Sequence, residues 1–424
     1  MRFHVINQGC AANFSEGEQI AGILTQNGFK AVSGEPSDIT ILNLCTVKGN
    51  GTALKAVRNA IKQYPNLPLV ITGCVTNDLA KELKNITHPI SISSTNDIHE
   101  IVPIVQQSLR GVKIEHLKRT KTMKVGIPKR RNNPVVGILA ISNGCLDQCT
   151  FCSTRLVKGM HYSYPLDDLV AEAQALVKDG CAEIWLTGQD CGCWGFDLGL
   201  NISHLAKAIL DAIPQDFRLR LGMGNPRHLL PFWEDLADIF ADPRVFKFIH
   251  LPVQSGCDEV LHAMGRQHSA EDFRMLVKAL RSKVEGLTIS TDIIVGFPGE
   301  TPEGFQKTLD LVQEIQPLVC NITRFVVRKG TAAAKFKQSV LLQEKKERSR
   351  ILSAQFSEQS LKENQSLVGQ EFSVLVDQKG KNGDWVARND SFRPVVLRGD
   401  YQLGQRLQIK IIDANAFSLF GTAI

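Results

Sequence analysis

The chain has 424 residues, 43% of them hydrophobic and 22% charged, with a net charge of +6 at pH 7. That is length enough for two or three domains with separate cores, and a composition ordinary for a globular protein rather than a disordered or fibrous one. Met1 to Asn7 hold no apolar run suited to a signal peptide and no later stretch is fit to span a bilayer, so a cytoplasmic protein without a membrane partner is expected, its 11 cysteines reduced.

From Met1 to about residue 112, strand-like runs alternate with helical ones: Phe3–Ile6 then Glu16–Asn27, Ile39–Leu44 then Thr52–Tyr64, Leu69–Thr72 then Asp78–Lys84. This rhythm predicts an open parallel α/β sheet. Cys10, Cys45 and Cys74 each follow a strand, the end at which such sheets bind ligands. Three thiolates converging there would hold one ion or cluster and leave a coordination position open. The alternative for each is a buried core cysteine. Gly9 and Gly73, each just before a cysteine, suit close approach of backbone to a bound group.

The segment 113–133 is basic, with Lys118, Arg119, Lys121, Lys124, Lys129, Arg130 and Arg131 against Glu115 alone. It reads either as a phosphate-attracting connector or as a solvated linker.

Six strand candidates follow: Val135–Ile141, Glu183–Thr187, Arg218–Gly222, Phe246–Leu251, Thr288–Val295 and Cys320–Phe325. Helical patterns over Pro165–Asp179, Ile202–Ile213, Ala270–Val284 and Pro302–Ile315 lie between them. Six such units over 131–362 predict a partial TIM-like (β/α)6 barrel with its site at the carboxyl ends of the strands. Cys145, Cys149 and Cys152, spaced C-x₃-C-x₂-C, sit in the loop after the first strand, where Gly144 permits a tight turn. A zinc site or a cubane cluster with protein ligands alone needs four. Three leave one iron free to be chelated by the amine and carboxylate of S-adenosylmethionine, whose reductive cleavage yields a radical. A zinc site completed by His161 or Cys181 is the alternative. Gly188-Gln189-Asp190, Pro252-Val253-Gln254-Ser255 and Gly296–Thr301 are further strand-end segments, the last also explained as a turn with Thr301 capping a helix that starts at Pro302. Cys191 and Cys193 form a C-x-C pair too weak to define a metal site alone.

A Glu-, Lys- and Gln-rich helix over Leu341–Glu363 leads to a tail, 363–424, with short strands at Phe372–Val376, Trp385–Ala387, Val395–Leu397, Arg406–Ile412 and Ser418–Phe420. They predict a small all-β, OB-like barrel, a shape often used on RNA. Lys379, Lys381, Arg388, Arg393 and Arg398 are its candidate phosphate contacts, and its removal is expected to weaken RNA binding chiefly.

The cysteine loop resembles the signature of radical S-adenosylmethionine enzymes. With Gly9-Cys10-Ala11-Ala12-Asn13, Asn43-Leu44-Cys45-Thr46-Val47-Lys48 and Gly73-Cys74, and a tail resembling a TRAM domain (Gly369, Leu403-Gly404, Gly421-Thr422-Ala423-Ile424), essentially the whole chain resembles the methylthiotransferases. The resemblance implies two 4Fe–4S clusters, an auxiliary one on Cys10, Cys45 and Cys74 within 1–112, and a radical-generating one on Cys145, Cys149 and Cys152. It further implies S-adenosylmethionine, with Glu183, Gln189, Gln254, Ser255 and Asp292 as candidate contacts. Ser153-Thr154-Arg155, Glu183–Thr187, Leu219–Pro226 and Ile249–Ser255 are similar to the branch acting on N6-threonylcarbamoyladenosine at position 37 of tRNA. That branch implies the anticodon loop of ANN-decoding tRNA as partner and an electron donor such as flavodoxin or ferredoxin. Arg155 is the candidate for the threonylcarbamoyl carboxylate, with Lys379, Arg388 and Arg393 as further tRNA contacts. Lys158-Gly159 departs from the usual Arg-Gly pair, and Cys191 and Cys193 from the branch's usual residues. Methylthiolation of isopentenyladenosine tRNA or of a ribosomal-protein aspartate, and a non-enzymatic RNA-binding metal protein, are the other readings.

Overall fold

Every residue of the strand Ile39–Leu44 is buried, as the middle of a sheet covered on both faces requires. The computed structural model describes residues 1–33, 37–45, 49–117, 120–380 and 382–424; Thr46, Val47, Lys48, Lys118, Arg119 and Lys381 lie outside them. The first sheet has six strands, in the order Lys30–Ala31, Arg2–Gln8, Ile39–Leu44, Leu69–Gly73, Ile90–Ser93, Glu115–His116, all parallel. Strand order reverses between Arg2–Gln8 and Ile39–Leu44, so Cys10 and Cys45 flank the switch point. The strand Ile90–Ser93 and the helix Ile101–Leu109 were not expected. Pro103 masks that helix in the sequence, yet it stands in the first turn, where its missing N–H costs nothing.

Helix Ala11–Gln26 is the joint between the first sheet and the rest. Its Gln19 Nε2 donates to the Lys124 carbonyl at 2.6 Å, Ser15 Oγ to the Ile138 carbonyl at 3.3 Å, and the Glu18 carbonyl accepts from the Arg130 amide at 2.9 Å. Over its described residues the connector is therefore tied down at Lys124, Lys129 and Arg131, while Lys113, Lys121 and Arg130 stay exposed. Lys124 pairs with Glu16, Lys129 with Glu172 and Arg131 with Asp179, and the first two cations are almost wholly buried.

The central strands form two parallel triplets. Arg218–Arg220, Glu183–Thr187 and Val136–Ala140 make one; Phe248–His250, Thr288–Val295 and Val319–Arg324 make the other. The triplets meet where Leu219 pairs with the Arg244–Phe246 backbone (2.7 and 2.9 Å). The result is the expected open barrel of six strands around one apolar core. Helix Pro302–Ile315 starts and stops where its pattern predicts, with Thr301 Oγ1 accepting the Gly304 amide at 3.1 Å.

The tail is a closed five-stranded barrel, Glu371–Lys379, Trp385–Asn389, Pro394–Leu397, Leu419–Ala423 and Arg406–Ala414 in that order. It is not a loosely attached module. Phe392, held at φ 60°, inserts its ring among Phe246 and Phe248 (centroids 4.9 Å away) and Trp185 (5.9 Å), below the central barrel. Such a backbone conformation costs a bulky residue on the order of 1–3 kcal/mol, which the burial of the ring offsets. The Arg220 guanidinium stacks over Trp185, Phe248 and Phe392 at 4.9–5.2 Å. Two predicted tRNA contacts are corrected here. Arg388 pairs with Asp377 at 3.2 Å and stacks on Phe392, and Arg393 is buried against Glu363 and Asn364. Both cations serve the docking of the barrel. Lys379 is exposed beside Trp385 and Arg398 is largely exposed. Among the described residues, no helix is long and apolar enough to cross a membrane.

Candidate functional site

Cys10 caps the start of helix Ala11–Gln26, and its carbonyl accepts the Phe14 amide at 3.0 Å. Cys45 and Cys74 leave the next two strands, and Cys10 and Cys74 both hydrogen bond to the Cys45 thiol. The three thiols therefore converge, as strand-end placement predicted. Below them, Asn43 Nδ2 donates to Asn7 Oδ1 at 3.1 Å and to the Asn13 carbonyl at 2.7 Å, and Asn13 donates back to Asn43 Oδ1 at 2.8 Å. Gly73 is obligatory: its φ is 91°, and a Cβ there would fall 2.4 Å from Asn43 Oδ1. The bond to Cys45 brings the Cys10 thiol down to about 6 against the penalty of burial, and Cys74 is lowered for the same first reason. Lys158 adds to both shifts by its charge.

Lys158 comes from the central domain. Its ammonium and that of Lys124 both donate to Glu16 Oε1, that of Lys124 at 2.6 Å, and both reach Thr95 Oγ1 at 2.7 Å. All four residues are buried. Burial opposes the charge of Glu16, but the two ammoniums hold its carboxyl down at about 2. Burial brings Lys124 down to about 8, whereas Lys158 is raised because Glu16 and then Cys74 outweigh burial.

The second triplet lies in the loop after Val136–Ala140. Gly144, φ 82°, passes so close to Met160 that a Cβ would sit 2.1 Å from its carbonyl oxygen. The loop is clamped by Thr150, whose amide and hydroxyl donate to the Met264 and Ala263 carbonyls (2.9 and 2.8 Å) and whose carbonyl accepts the Ala333 amide at 2.8 Å. Phe151 packs edge-on to Phe297. Burial, followed by the charge of Asp190, pushes the Cys145 thiol up to about 12; burial also raises Cys149, opposed by Arg266, whose Nη1 lies 3.6 Å from its sulfur.

Of the other expected site residues, Gln189 is at the loop, accepting the Gly144 amide at 2.8 Å. Asp292 faces the same end, bound by His250 (3.0 Å) and Asn321 (2.8 Å), and Gln254 pairs there with Ile293 at φ 78°. Ser255 is wholly buried, its hydroxyl engaged by Thr308 and the Cys257 amide, which corrects its assignment as a cofactor contact. Glu183 is a second correction. It opens its strand at the amino end, opposite the cysteines, wholly buried, and its carboxyl is raised to about 8 by burial and then by Asp377 of the tail. Cys181, at that same end, is no fourth ligand for the loop. Arg155 lies beside the loop, with Nη1 3.5 Å from the Leu146 carbonyl and Nη2 on Met160, and has no acidic partner among the described residues.

Unforeseen was a buried network behind the loop. Asp190, Cys193 and His228 place donor atoms within 4.8 Å of one another. The Asp190 carboxylate is already taken by His228 (2.8 Å) and the Gly192 and Asn225 amides (2.9 and 3.0 Å), and Asn225 reaches Asp147 within the cysteine loop. These contacts brace the loop rather than hold an ion of their own.

Comparison with known proteins agrees with this arrangement. Residues 139–312 match the Radical SAM superfamily, 365–424 the TRAM domain, and 2–93 the Uncharacterized protein family UPF0004. The chain is 36% identical, over all of both proteins, to the probable threonylcarbamoyladenosine tRNA methylthiotransferase of Pyrococcus horikoshii. It is also 36% identical to the threonylcarbamoyladenosine tRNA methylthiotransferase of Homo sapiens, across 98% of this chain and 73% of that one. The chain belongs to this methylthiotransferase family. Among solved structures, the cobalamin-dependent S-adenosylmethionine radical enzyme OxsB shares its fold, with a TM-score of 0.51 at 11% identity over 82% of this chain and 56% of that one. As a radical SAM methylthiotransferase it takes S-adenosylmethionine and two 4Fe–4S clusters, and two thiol triplets, each one short of a full ligand set, suit that requirement.

Proposed function

We propose that this methylthiotransferase converts N6-threonylcarbamoyladenosine at position 37 of tRNA to its 2-methylthio derivative, with Cys10, Cys45 and Cys74 holding the auxiliary cluster and Cys145, Cys149 and Cys152 the radical-generating one. One observation carries the reading. The Cys145 loop and the Cys10–Cys45–Cys74 pocket meet across one buried contact, because residues 158–160 pair with the loop while the Lys158 side chain enters the pocket. When bound, the clusters and S-adenosylmethionine supply the radical that removes hydrogen from adenine C2 and the methylsulfanyl group that replaces it. The chain's own residues hold the two sites in register and keep water from the space between them. Phe14, Leu156 and Met160 are exposed apolar side chains adjoining the two cysteine sets, suited to a splayed base. Arg155, without an acidic partner among the described residues and next to Met160, offers the guanidinium for the threonylcarbamoyl carboxylate. Gln189 and Asp292 remain the contacts proposed for S-adenosylmethionine, with Gln254 beside them. Lys379 and Arg398 on the tail suit backbone phosphates, and the divisions 1–112, 131–362 and 363–424 are proposed as the three domains, although the strand Glu115–His116 of the first sheet lies beyond 112 and the helix Leu342–Gln365 crosses 363. The anticodon loop of ANN-decoding tRNA, a flavodoxin or ferredoxin as donor and a cytoplasmic location belong to the same reading.

The test is reconstituted enzyme offered tRNA with and without the threonylcarbamoyl group, with nucleosides read by mass spectrometry. The methylthio product is expected on the modified tRNA alone, and Arg155→Ala should lose it while keeping background formation of 5′-deoxyadenosine. Product on isopentenyladenosine tRNA or on ribosomal protein would overturn the substrate, and absence of S-adenosylmethionine cleavage would overturn the chemistry.

A further inference from the structure

The Glu16 pocket holds an imbalance of charge. Two ammoniums, Lys124 and Lys158, share one carboxylate oxygen and one hydroxyl, and Glu16 Oε2 accepts no hydrogen bond from either. Both lysines are at least nine-tenths buried, so water screens this surplus of one positive charge poorly. The pocket abuts the first cysteine triplet through the backbone. The Thr95 amide donates to the Gly73 carbonyl at 3.0 Å, one residue before Cys74, and Glu16 lies on the helix that Cys10 caps. Lys158 is at the same time part of the other site. Its carbonyl accepts Asn143 Nδ2 at 3.1 Å, the Gly159 carbonyl accepts the Cys145 amide at 3.3 Å, and Met160 pairs with Cys145. One residue thus has its backbone bonded to the base of the radical-site loop and its charge beside the auxiliary thiols.

We propose that Lys158 is a positioning residue for sulfur transfer: it locks the register between the two cysteine sites and supplies the cation that balances the anionic group bound at Cys10, Cys45 and Cys74. A cubane of two ferric and two ferrous irons on three thiolates carries a net negative charge, which reduction increases, so a fixed cation in a poorly screened pocket favours the reduced form. Lys124 shares the cationic pocket and its charge is felt at Cys74, but it enters from the connector and makes no hydrogen bond to the Cys145 loop among the described residues, so it cannot hold the register. Arginine reaches a similar depth with the same charge, so an Arg at 158 would retain the function.

The inference rests on the assignment of the auxiliary cluster to Cys10, Cys45 and Cys74, and the experiment separates the two. In a Cys145→Ala, Cys149→Ala, Cys152→Ala background, only the auxiliary cluster remains, and its midpoint potential is read by electron paramagnetic resonance in a redox titration. Lys158→Met should move the midpoint to more negative values, and Lys158→Arg should restore it. Glu16→Gln, which keeps both lysines and removes their counter-charge, should move it the opposite way and serves if the methionine variant fails to fold. In the enzyme with both cysteine sets, Lys158→Met should lower methylthio product per 5′-deoxyadenosine, on the order of a hundredfold if the register slips by about an ångström. Iron bound in normal amount with a midpoint unmoved by Lys158→Met or Glu16→Gln overturns the inference alone. Absence of iron in the triple-alanine background overturns the cluster assignment and the inference with it.

Discussion

Cys10, Cys45 and Cys74 differ from Cys145, Cys149 and Cys152 in who balances their charge. In the first set the thiols bond to one another and face the two lysines on Glu16, and Cys10 and Cys74 are lowered. In the second, burial dominates, Asp147 and Asp190 lie close, and Cys145 and Cys149 are raised, with Arg266 the cation at hand. Equal ligand counts therefore do not make equal sites. The fold compensates thiolate charge at the first, whereas at the second that task falls to the iron and the cationic sulfonium of S-adenosylmethionine proposed to bind there. A site whose charge is balanced only by what binds there is expected to respond more steeply to loss of its occupant.

Exchanging whole ligand sets gives the largest effect. Alanine at Cys145, Cys149 and Cys152 should abolish S-adenosylmethionine cleavage and leave iron at the first site. Alanine at Cys10, Cys45 and Cys74 should leave uncoupled 5′-deoxyadenosine and no sulfur insertion. Iron counts and nucleoside analysis decide, and loss of all iron from either variant would break the distinction between two sites.

The next contrast is one of pH, in the iron-free chain. Cys10 should alkylate faster as pH rises through about 6 and then level off, while Cys145 should stay slow until strongly alkaline pH. The linked effects on stability have opposite signs. The lowered Cys10 contributes stability that is complete above the ordinary thiol value of 9.0 and is lost as pH falls through about 6. The raised Cys145 makes the fold less stable as pH climbs above that same ordinary value, because the unfolded thiol ionises first. Site-resolved alkylation by mass spectrometry measures both, and similar profiles would erase the comparison.

The smallest effect is expected at Arg266. Arg266→Gln removes the cation beside Cys149 and should slow cluster uptake at the second site a few-fold, with 5′-deoxyadenosine per assembled cluster unchanged. Optical monitoring of reconstitution measures the rate. Complete failure to assemble would mean that the protein's own charge matters as much there as at the first site.

The thiols and most of the scaffold were legible in the sequence because their signals are local. Cysteine spacing is read along the chain, and helix Pro302–Ile315 announces itself by a cap, a proline and a 3.6-residue period. What escaped was decided by partners distant in sequence. Lys158 and Glu16 are 142 residues apart, and nothing local marks either as buried. The sequence does show Lys158 in place of an expected arginine, the one clue to a cation at that position. Glu183 opens its strand as expected, at the amino end and so away from the cysteines, but only the docked tail shows that Asp377 lies beside its carboxyl. Arg388 and Arg393 looked like surface charges for the same reason, as their acidic partners Asp377 and Glu363 are side chains that no pattern singles out.

Phe392 fixes an order of events in the birth of the protein. The floor of the central barrel, Trp185, Phe246 and Phe248, is finished by a ring that the ribosome adds 144 residues after Phe248. Until then the nascent barrel shows an open aromatic bowl, with Arg220 stacked on Trp185 and Phe248 but uncovered by Phe392, the kind of surface that chaperones bind and aggregates grow from. A premature stop before Phe392 would thus remove more than an RNA-binding appendage. It would leave the catalytic barrel unsealed, so that quality control can discard a truncated chain before iron is committed to it.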